Sequence, residues 1–217
     1  MVRRVFERAA ACHYLTELWV ATDSPEVHDY CTRNRIPVLM TASTHQSGTE
    51  RIHEVMQLKP AAIYVNIQGD EPMLAESHLD LLLEPFYRDS STEVTTLKTP
   101  LDMSEAGNPN VVKVVTKSNG QALYFSRAAI PYRRNPSSSL PFYKHLGLYA
   151  YSRKALEGYH RQPSSILEQT ERLEQLRFLE MGVPIHVAET PLDTIGVDTE
   201  DDLEAVTRFF ESLPRGT

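Results

Sequence analysis

The sequence predicts an α/β fold on a mostly parallel sheet, and three observations carry that prediction. Short apolar, strand-like runs alternate with helix-period segments through about residue 90. The run Ala62-Ile63-Tyr64-Val65-Asn66-Ile67 is nearly continuous in apolar character, which suits a central parallel strand covered on both faces. It ends in Gln68-Gly69-Asp70-Glu71-Pro72, so a turn with two carboxylates stands just past a strand's carboxyl end, where open α/β sheets place their ligands.

The elements follow in order. Val2, Val5, Phe6, Ala9 and Ala10 recur at helical spacing, so the sequence opens in a helix. Leu18-Trp19-Val20-Ala21 reads as a strand, and Ser24-Pro25-Glu26 supplies the cap and first turn of a helix running to about Asn34. Ile36 to Met40 is a short strand. Ser47-Gly48-Thr49-Glu50 leads into a helix through about Leu58, and another helix spans Glu76 to about Tyr87. Beyond residue 90 the pattern turns β-rich. Val94–Leu97, Val111–Val115 and Ala122–Phe125 read as strands, with Gly107-Asn108-Pro109-Asn110 as a turn. Tyr132 to Pro141 reads as an exposed loop, and residues 142–151 as a strand returning to the core. Helices are expected at about 153–160 and 171–180, then a strand at Ile185–Ala188. Thr199 caps a last helix, with Glu200, Asp201 and Asp202 at its positive end.

Composition narrows the function. The 217 residues suffice for a single domain, with about 92–152 as a smaller β-rich region inside it. A net charge of -7 gives no attraction for a nucleic-acid backbone, so no nucleic-acid partner is expected. Apolar runs of a few residues fall far short of a membrane span, and no signal peptide is visible; a cytoplasmic protein is expected. The two cysteines, Cys12 and Cys31, form no C-x-x-C pair, which argues against a thiolate metal site.

Asp70 is the leading candidate for chemistry. A hard oxygen ligand there suits Mg²⁺ held by carboxylate and substrate phosphates, although a capped turn with a solvated Asp-Glu pair reads equally well. Asp198, after Ile195-Gly196-Val197, would complete a two-carboxylate clamp; alone it is an ordinary N-cap region. His45, Ser47, Gly48, Thr49 and Arg51 form a polar run opening a helix, as suited to a base, ribose or phosphate as to capping. Arg127 stands just past a strand, where a guanidinium can hold a substrate carboxylate bidentately. His145 lies within a strand, where histidine is commonly a core residue. Glu174 and Gln175 interrupt the apolar pattern of their helix and fit sugar hydroxyls or a solvated face.

Several blocks taken together are more specific than any one of them. His45 to Arg51 and Val65-Asn66-Ile67-Gln68-Gly69-Asp70-Glu71-Pro72 come first. Asn108 to Val115, Ala122 to Arg127, Ile130-Pro131 and Lys144 to Tyr149 follow. Leu173 to Arg177 and Gly196-Val197-Asp198-Thr199 complete the set. In that order they resemble the 3-deoxy-manno-octulosonate (Kdo) cytidylyltransferase, or CMP-Kdo synthetase, family over essentially the whole sequence. The resemblance implies a Rossmann-like nucleotide-diphospho-sugar transferase fold, with a smaller β-containing region that binds sugar and forms a homodimer. It implies Mg²⁺-dependent transfer of CMP from CTP to Kdo for lipopolysaccharide synthesis. It assigns Asp70 and Asp198 to Mg²⁺ and catalysis. It places Arg127, His145, Tyr149, Glu174 and Gln175 with Kdo, and His45, Ser47, Gly48, Thr49, Arg51 and Gln68 with CTP.

The family pattern also has a first strand and a triphosphate loop, P-A-R-x-x-S-x-R-L-P-G-K-P, for which these 217 residues hold no counterpart. The chain as it stands is therefore expected to be poorly stable and nearly inactive. Two other readings share the same residues: a cytidylyltransferase for another acidic sugar, and an inactive binding or partner protein that keeps the fold.

Overall fold

Local chemistry explains where most helices begin and end. The computed structural model describes residues 1–45, 47–135, 141–197 and 199–212. Helix α1, Val2–Ala10, buries Val5 and Ala9. Strand β1, Val20–Thr22, leads to α2, Pro25–Arg33, where the Ser24 side chain accepts from the Val27 amide and Pro25 sits in the first turn. After β2, Val38–Met40, Ser47 caps α3, Gly48–Leu58, by accepting from the Glu50 amide at 3.2 Å. Strand β3 is Ile63–Asn66 and α4 is Glu76–Arg88. Then come β4, Val94–Leu101, β5, Lys113–Thr116, β6, Ala122–Ser126, and the long β7, Phe142–Ser152.

The expected helix at 171–180 shortens to Gln175–Glu180, and a separate helix precedes it. Helix α5, Arg153–Arg161, is followed by α6, Ile166–Glu171, and α7, Gln175–Glu180. A Ser165–Glu168 capping box starts α6, and Arg172, at φ 53°, stops it. That left-handed residue re-aims the chain and puts Glu174 at the head of α7. Strand β8, Ile185–Glu189, and α8, Glu200–Ser212, complete the order. The Thr199 hydroxyl accepts from the Asp202 amide at 3.2 Å while the Asp202 carboxylate accepts from the Thr199 amide at 2.9 Å, so both orphan donors are met.

Strands β1 and β2 pair in parallel as a sheet of their own. The other six form one sheet in the order β6-β5-β7-β4-β8, with β3 also on β7. Strand β7 runs antiparallel to both β3 and β4, while β4 and β8 are parallel. Strands β3, β4 and β8 thus share a direction with β7 running against them, and in this sheet the β4–β8 pairing is parallel while those of β3, β4 and β5 with β7 and of β5 with β6 are antiparallel. Strand β3 departs from the expected central position with parallel neighbours. Among the described residues its one strand partner is antiparallel β7.

Alternate residues of β7 feed two cores. Tyr149 and Tyr151 pack with Tyr159, Leu176 and Phe178 on one face; Leu146, Leu148 and Ala150 pack with Leu79, Leu82 and Leu97 on the other. The β4–β7 register passes from Thr96↔Tyr149 to Leu97↔Leu146, so Gly147 and Leu148 bulge from the ladder. The β5–β6 hairpin joins the amino-terminal half of β7 at Lys113↔Lys144. Its anchor is the Lys113 ammonium, whose carbonyl partners are Asn108, Val111 and Arg127 at 2.8, 2.6 and 2.5 Å. A cation with three donors and three acceptors tolerates full burial.

A cavity of about 760 Å³ lies between β1 and β3. Apolar side chains such as Val5, Trp19, Val65 and Leu83 line much of it, and His45, Gly48, Arg51 and Gln68 line its polar part. Among the described residues, no helix is long and apolar enough to cross a membrane.

Candidate active site

Four elements converge at the carboxyl end of β3. Asn66 ends that strand, and the amino terminus of α3 approaches it so closely that a Cβ on Gly48 would lie 2.8 Å from Asn66 Nδ2 and 3.1 Å from Gln68 Nε2. Only glycine lets a helix start there without displacing both amides. The Thr49 amide donates to Glu174 Oε2 at 3.3 Å, and the Thr49 hydroxyl lies 3.0 Å from the Tyr151 hydroxyl. Tyr151 stacks on Tyr149 with centroids 5.5 Å apart, and Tyr149 faces Asn66 across the β3–β7 ladder. Ser47, Gly48, Thr49, Gln68, Tyr149 and Glu174 are thus gathered from segments far apart in sequence.

The polar atoms of this cluster are incompletely satisfied. Asn66 Nδ2, Tyr149 Oη, Gln175 Nε2 and Glu71 Oε2 are buried without a hydrogen-bond partner among the described residues. Each such group costs about 1–3 kcal/mol unless a ligand meets it. Burial, opposed by hydrogen bonds from Thr49 and Ser47, pushes the Glu174 carboxyl above its ordinary value. The Tyr149 and Tyr151 hydroxyls are held neutral by burial. Replacing Gly48 by alanine is expected to displace Asn66 and Gln68 and to lower kcat/KM up to about 10²-fold. Steady-state kinetics would show it, with thermal unfolding little changed.

Asp70 occupies the turn after β3, and its carbonyl accepts from the Val197 amide at 2.9 Å. Asp198 lies outside the described residues. Glu71, 7% exposed, follows Asp70, and its carboxyl is pushed up to about 7, chiefly by burial, with the Thr194 hydrogen bond opposing the rise and the Asp70 charge adding to it. A carboxyl with a raised folded pKa weakens the fold as pH climbs from the unfolded value of 4.5 to about 7, and the loss is complete above that. Glu71→Gln is therefore expected to gain about 3 kcal/mol over the parent at ~pH 8 and almost nothing at ~pH 4, in metal-free denaturant titrations.

Of the remaining expected residues, His145 adjoins this cluster through Tyr149, while Arg127, His45 and Arg51 make their contacts elsewhere. His145 is buried, with its ring 5.3 Å from that of Tyr149. Arg127 donates through Nε to the Glu171 carbonyl at 2.8 Å, through Nη1 to Pro109 at 3.0 Å and through Nη2 to Arg172 at 3.5 Å. Among the described residues, one N–H on each Nη is left for the bidentate role expected of it. His45 pairs with Glu54. Arg51 contacts the Thr41 hydroxyl at 2.5 Å and Asp23 at 3.5 Å, tying α3 to the ends of β1 and β2.

Sequence reasoning passed over Asn66 and Tyr151 as site residues. Asn66 was legible as the one polar side chain in the Ala62–Ile67 run, and Tyr151 as a residue two along β7 from Tyr149, hence on the same face.

A cavity and a polar cluster beside a strand's carboxyl end are where open α/β sheets bind ligands. A family model described as Cytidylyltransferase matches residues 1–186. The 3-deoxy-manno-octulosonate cytidylyltransferase of Koribacter versatilis is 50% identical over 212 residues, covering 98% of this chain and 80% of that protein. The enzyme of the same name from Acidobacterium capsulatum is 50% identical over 210 residues, covering 97% and 85%. A solved CMP:2-keto-3-deoxy-manno-octonic acid synthetase complexed with CTP superposes with a TM-score of 0.92 at 41% identity, covering 97% of this chain and 87% of that one. A putative glucose-1-phosphate thymidylyltransferase from Bacillus anthracis, at 15% identity and TM-score 0.66, shares the fold alone. The chain belongs to the cytidylyltransferase family.

Proposed function

We propose that the chain transfers CMP from CTP to Kdo, releasing pyrophosphate and forming CMP-Kdo for lipopolysaccharide synthesis. The observation that carries this reading is the set of orphaned polar atoms on Asn66, Tyr149 and Gln175 beside Glu174, at the end of β3. A polyhydroxylated sugar supplies the donors and acceptors such a cluster needs, and Arg127's remaining donors suit its carboxylate. CTP lies on the other side of β3's end, against the α3 amino terminus with Ser47, Gly48 and Thr49, and along Gln68, His45 and Arg51.

The Kdo anomeric oxygen bonds to the α-phosphorus while the bond from that phosphorus to the pyrophosphate oxygen breaks, and the hydroxyl proton passes to water. The chain's own part is positioning: Glu174 and Gln175 orient the sugar, and the Gly48 amide at the start of α3, whose following amides are taken by Glu174 and Ser47, is the one offered to the phosphates. Among the described residues, no group of three or more His, Cys, Asp or Glu side chains could hold a metal. Asp70 nonetheless fits Mg²⁺, which binds through one or two carboxylates and relies on substrate phosphates for the rest. Asp198 is proposed as the second carboxylate. When bound, Mg²⁺ supplies charge neutralisation on the triphosphate.

The protein is further proposed to be a cytoplasmic homodimer, a single domain over residues 1–217 in which about 92–152 forms the sugar-binding and dimerisation region. Exposed Met103, Leu123 and Tyr132 support that surface, and light scattering tests it. Product identification after offering CTP with several 2-keto sugar acids tests the main reading. A CMP adduct of Kdo is expected; an adduct formed only with another acid would replace it.

A further inference from the structure

The bulge in β7 frees backbone carbonyls next to a buried histidine, and one hydroxyl ties them together. Thr96 is fully buried on β4 beside the bulge. Its Oγ1 lies 2.8 Å from the Leu148 carbonyl, 3.2 Å from the Leu146 carbonyl and 3.0 Å from His145 Nε2. A hydroxyl has one proton and two lone pairs, while a carbonyl oxygen can only accept. The proton must therefore point at the carbonyls, Leu148 being the nearer. Turning it towards the ring would leave two carbonyl oxygens facing a lone pair. His145 Nε2 must then be the donor to Oγ1.

We propose that Thr96 is a positioning residue that locks His145 in the Nε2-protonated tautomer, so that Nδ1 is a hydrogen-bond acceptor for a hydroxyl of the sugar. The assignment deepens the proposed function and rests on its placing of His145 on the sugar side. A neutral acceptor discriminates between parts of an acidic sugar: it takes a hydroxyl and gives no cation to the carboxylate, which is left to Arg127. Burial and the neighbouring Lys144 ammonium both oppose protonation of the ring, whose pKa falls to about 3. Packing also holds the ring, with Phe125 edge-on at 4.9 Å and Tyr149 tilted at 5.3 Å. Valine at position 96 would keep the shape and lose the acceptor; serine would keep the acceptor.

Nitrogen-15 NMR of the imidazole tests this without turnover. In the parent protein, His145 is expected to show a protonated Nε2 and a bare Nδ1 from ~pH 5 to 8, unchanged in Thr96→Ser. Added Kdo is expected to shift the Nδ1 resonance in the direction of an accepted hydrogen bond. Thr96→Val is expected to admit the other tautomer and to weaken Kdo binding roughly tenfold, with CTP binding unchanged. A protonated Nδ1 in the parent, or an undisturbed tautomer in Thr96→Val, would overturn the lock. If Thr96→Val does not fold, the parent and Thr96→Ser spectra decide the matter alone. A locked tautomer with Nδ1 unmoved by bound Kdo would overturn the hydroxyl assignment. A locked tautomer with no Kdo binding at all would instead count against the proposed function.

Discussion

Asp70→Asn is expected to lower CMP transfer roughly 10³-fold relative to the same chain unaltered, with the loss in kcat and Kdo binding retained. The substitution keeps the side chain's size and removes its charge. Asp70 stands in the turn just past β3, with its carbonyl held by the Val197 amide, so the turn itself should survive. What disappears is the hard anionic oxygen proposed for Mg²⁺ at the triphosphate. Pyrophosphate release followed against Kdo concentration separates the two effects. A variant whose kcat stays within about threefold of the parent would take Asp70 out of the chemistry.

Glu168→Ala is expected to have the largest effect on stability, about 3–5 kcal/mol, or roughly 10 °C in thermal midpoint. One carboxylate performs three tasks there. It accepts from Arg177 Nε and Nη2 at 2.6 and 2.7 Å, from the Tyr159 hydroxyl at 3.2 Å, and from the Ser165 amide at 3.1 Å as half of the α6 capping box. Arg177 is 7% exposed and stacks over the Tyr159 ring at 3.9 Å, so losing its partner strands a buried cation. Burial alone would raise the Glu168 carboxyl, but the Arg177 and Ser165 hydrogen bonds outweigh it and hold the group below its ordinary 4.5. A depressed carboxyl stabilises the fold above that value and loses its effect as pH falls through the folded pKa. The gap between parent and Glu168→Ala should therefore be full at neutral pH and narrow in acid. Calorimetry at several pH values checks this; a gap that widens on acidification would contradict it. Because α6 and α7 carry Glu171 and Glu174, the same change should also raise KM for Kdo.

Features set by neighbouring residues were readable in advance. Ser24 with Val27, Ser47 with Glu50, and Thr199 with Asp202 each satisfy helix donors within three residues, so sequence order shows them directly. The turn after β3 was legible for a similar reason, since Gly69 and Asp70 follow an apolar run. The break at Arg172 was hidden because a left-handed arginine carries no glycine or asparagine signal. The capping box at Ser165 and Glu168 was a missed clue to it. The reversed direction of β7 was hidden because its apolar pattern suits either sense of pairing once both faces are covered. Contacts made only by the fold were the least legible: Gly48 against Asn66, Glu174 against Thr49, and Thr96 against His145, the last two 125 and 49 residues apart.

A crystal structure with CTP and a Kdo analogue lacking the anomeric hydroxyl tests the central claim most directly. The sugar is predicted within hydrogen-bonding distance of Asn66, Tyr149 and Glu174, and the triphosphate at the α3 amino terminus with Asp70 on its metal. Sugar bound away from the end of β3, or a triphosphate out of reach of Asp70, would contradict the account.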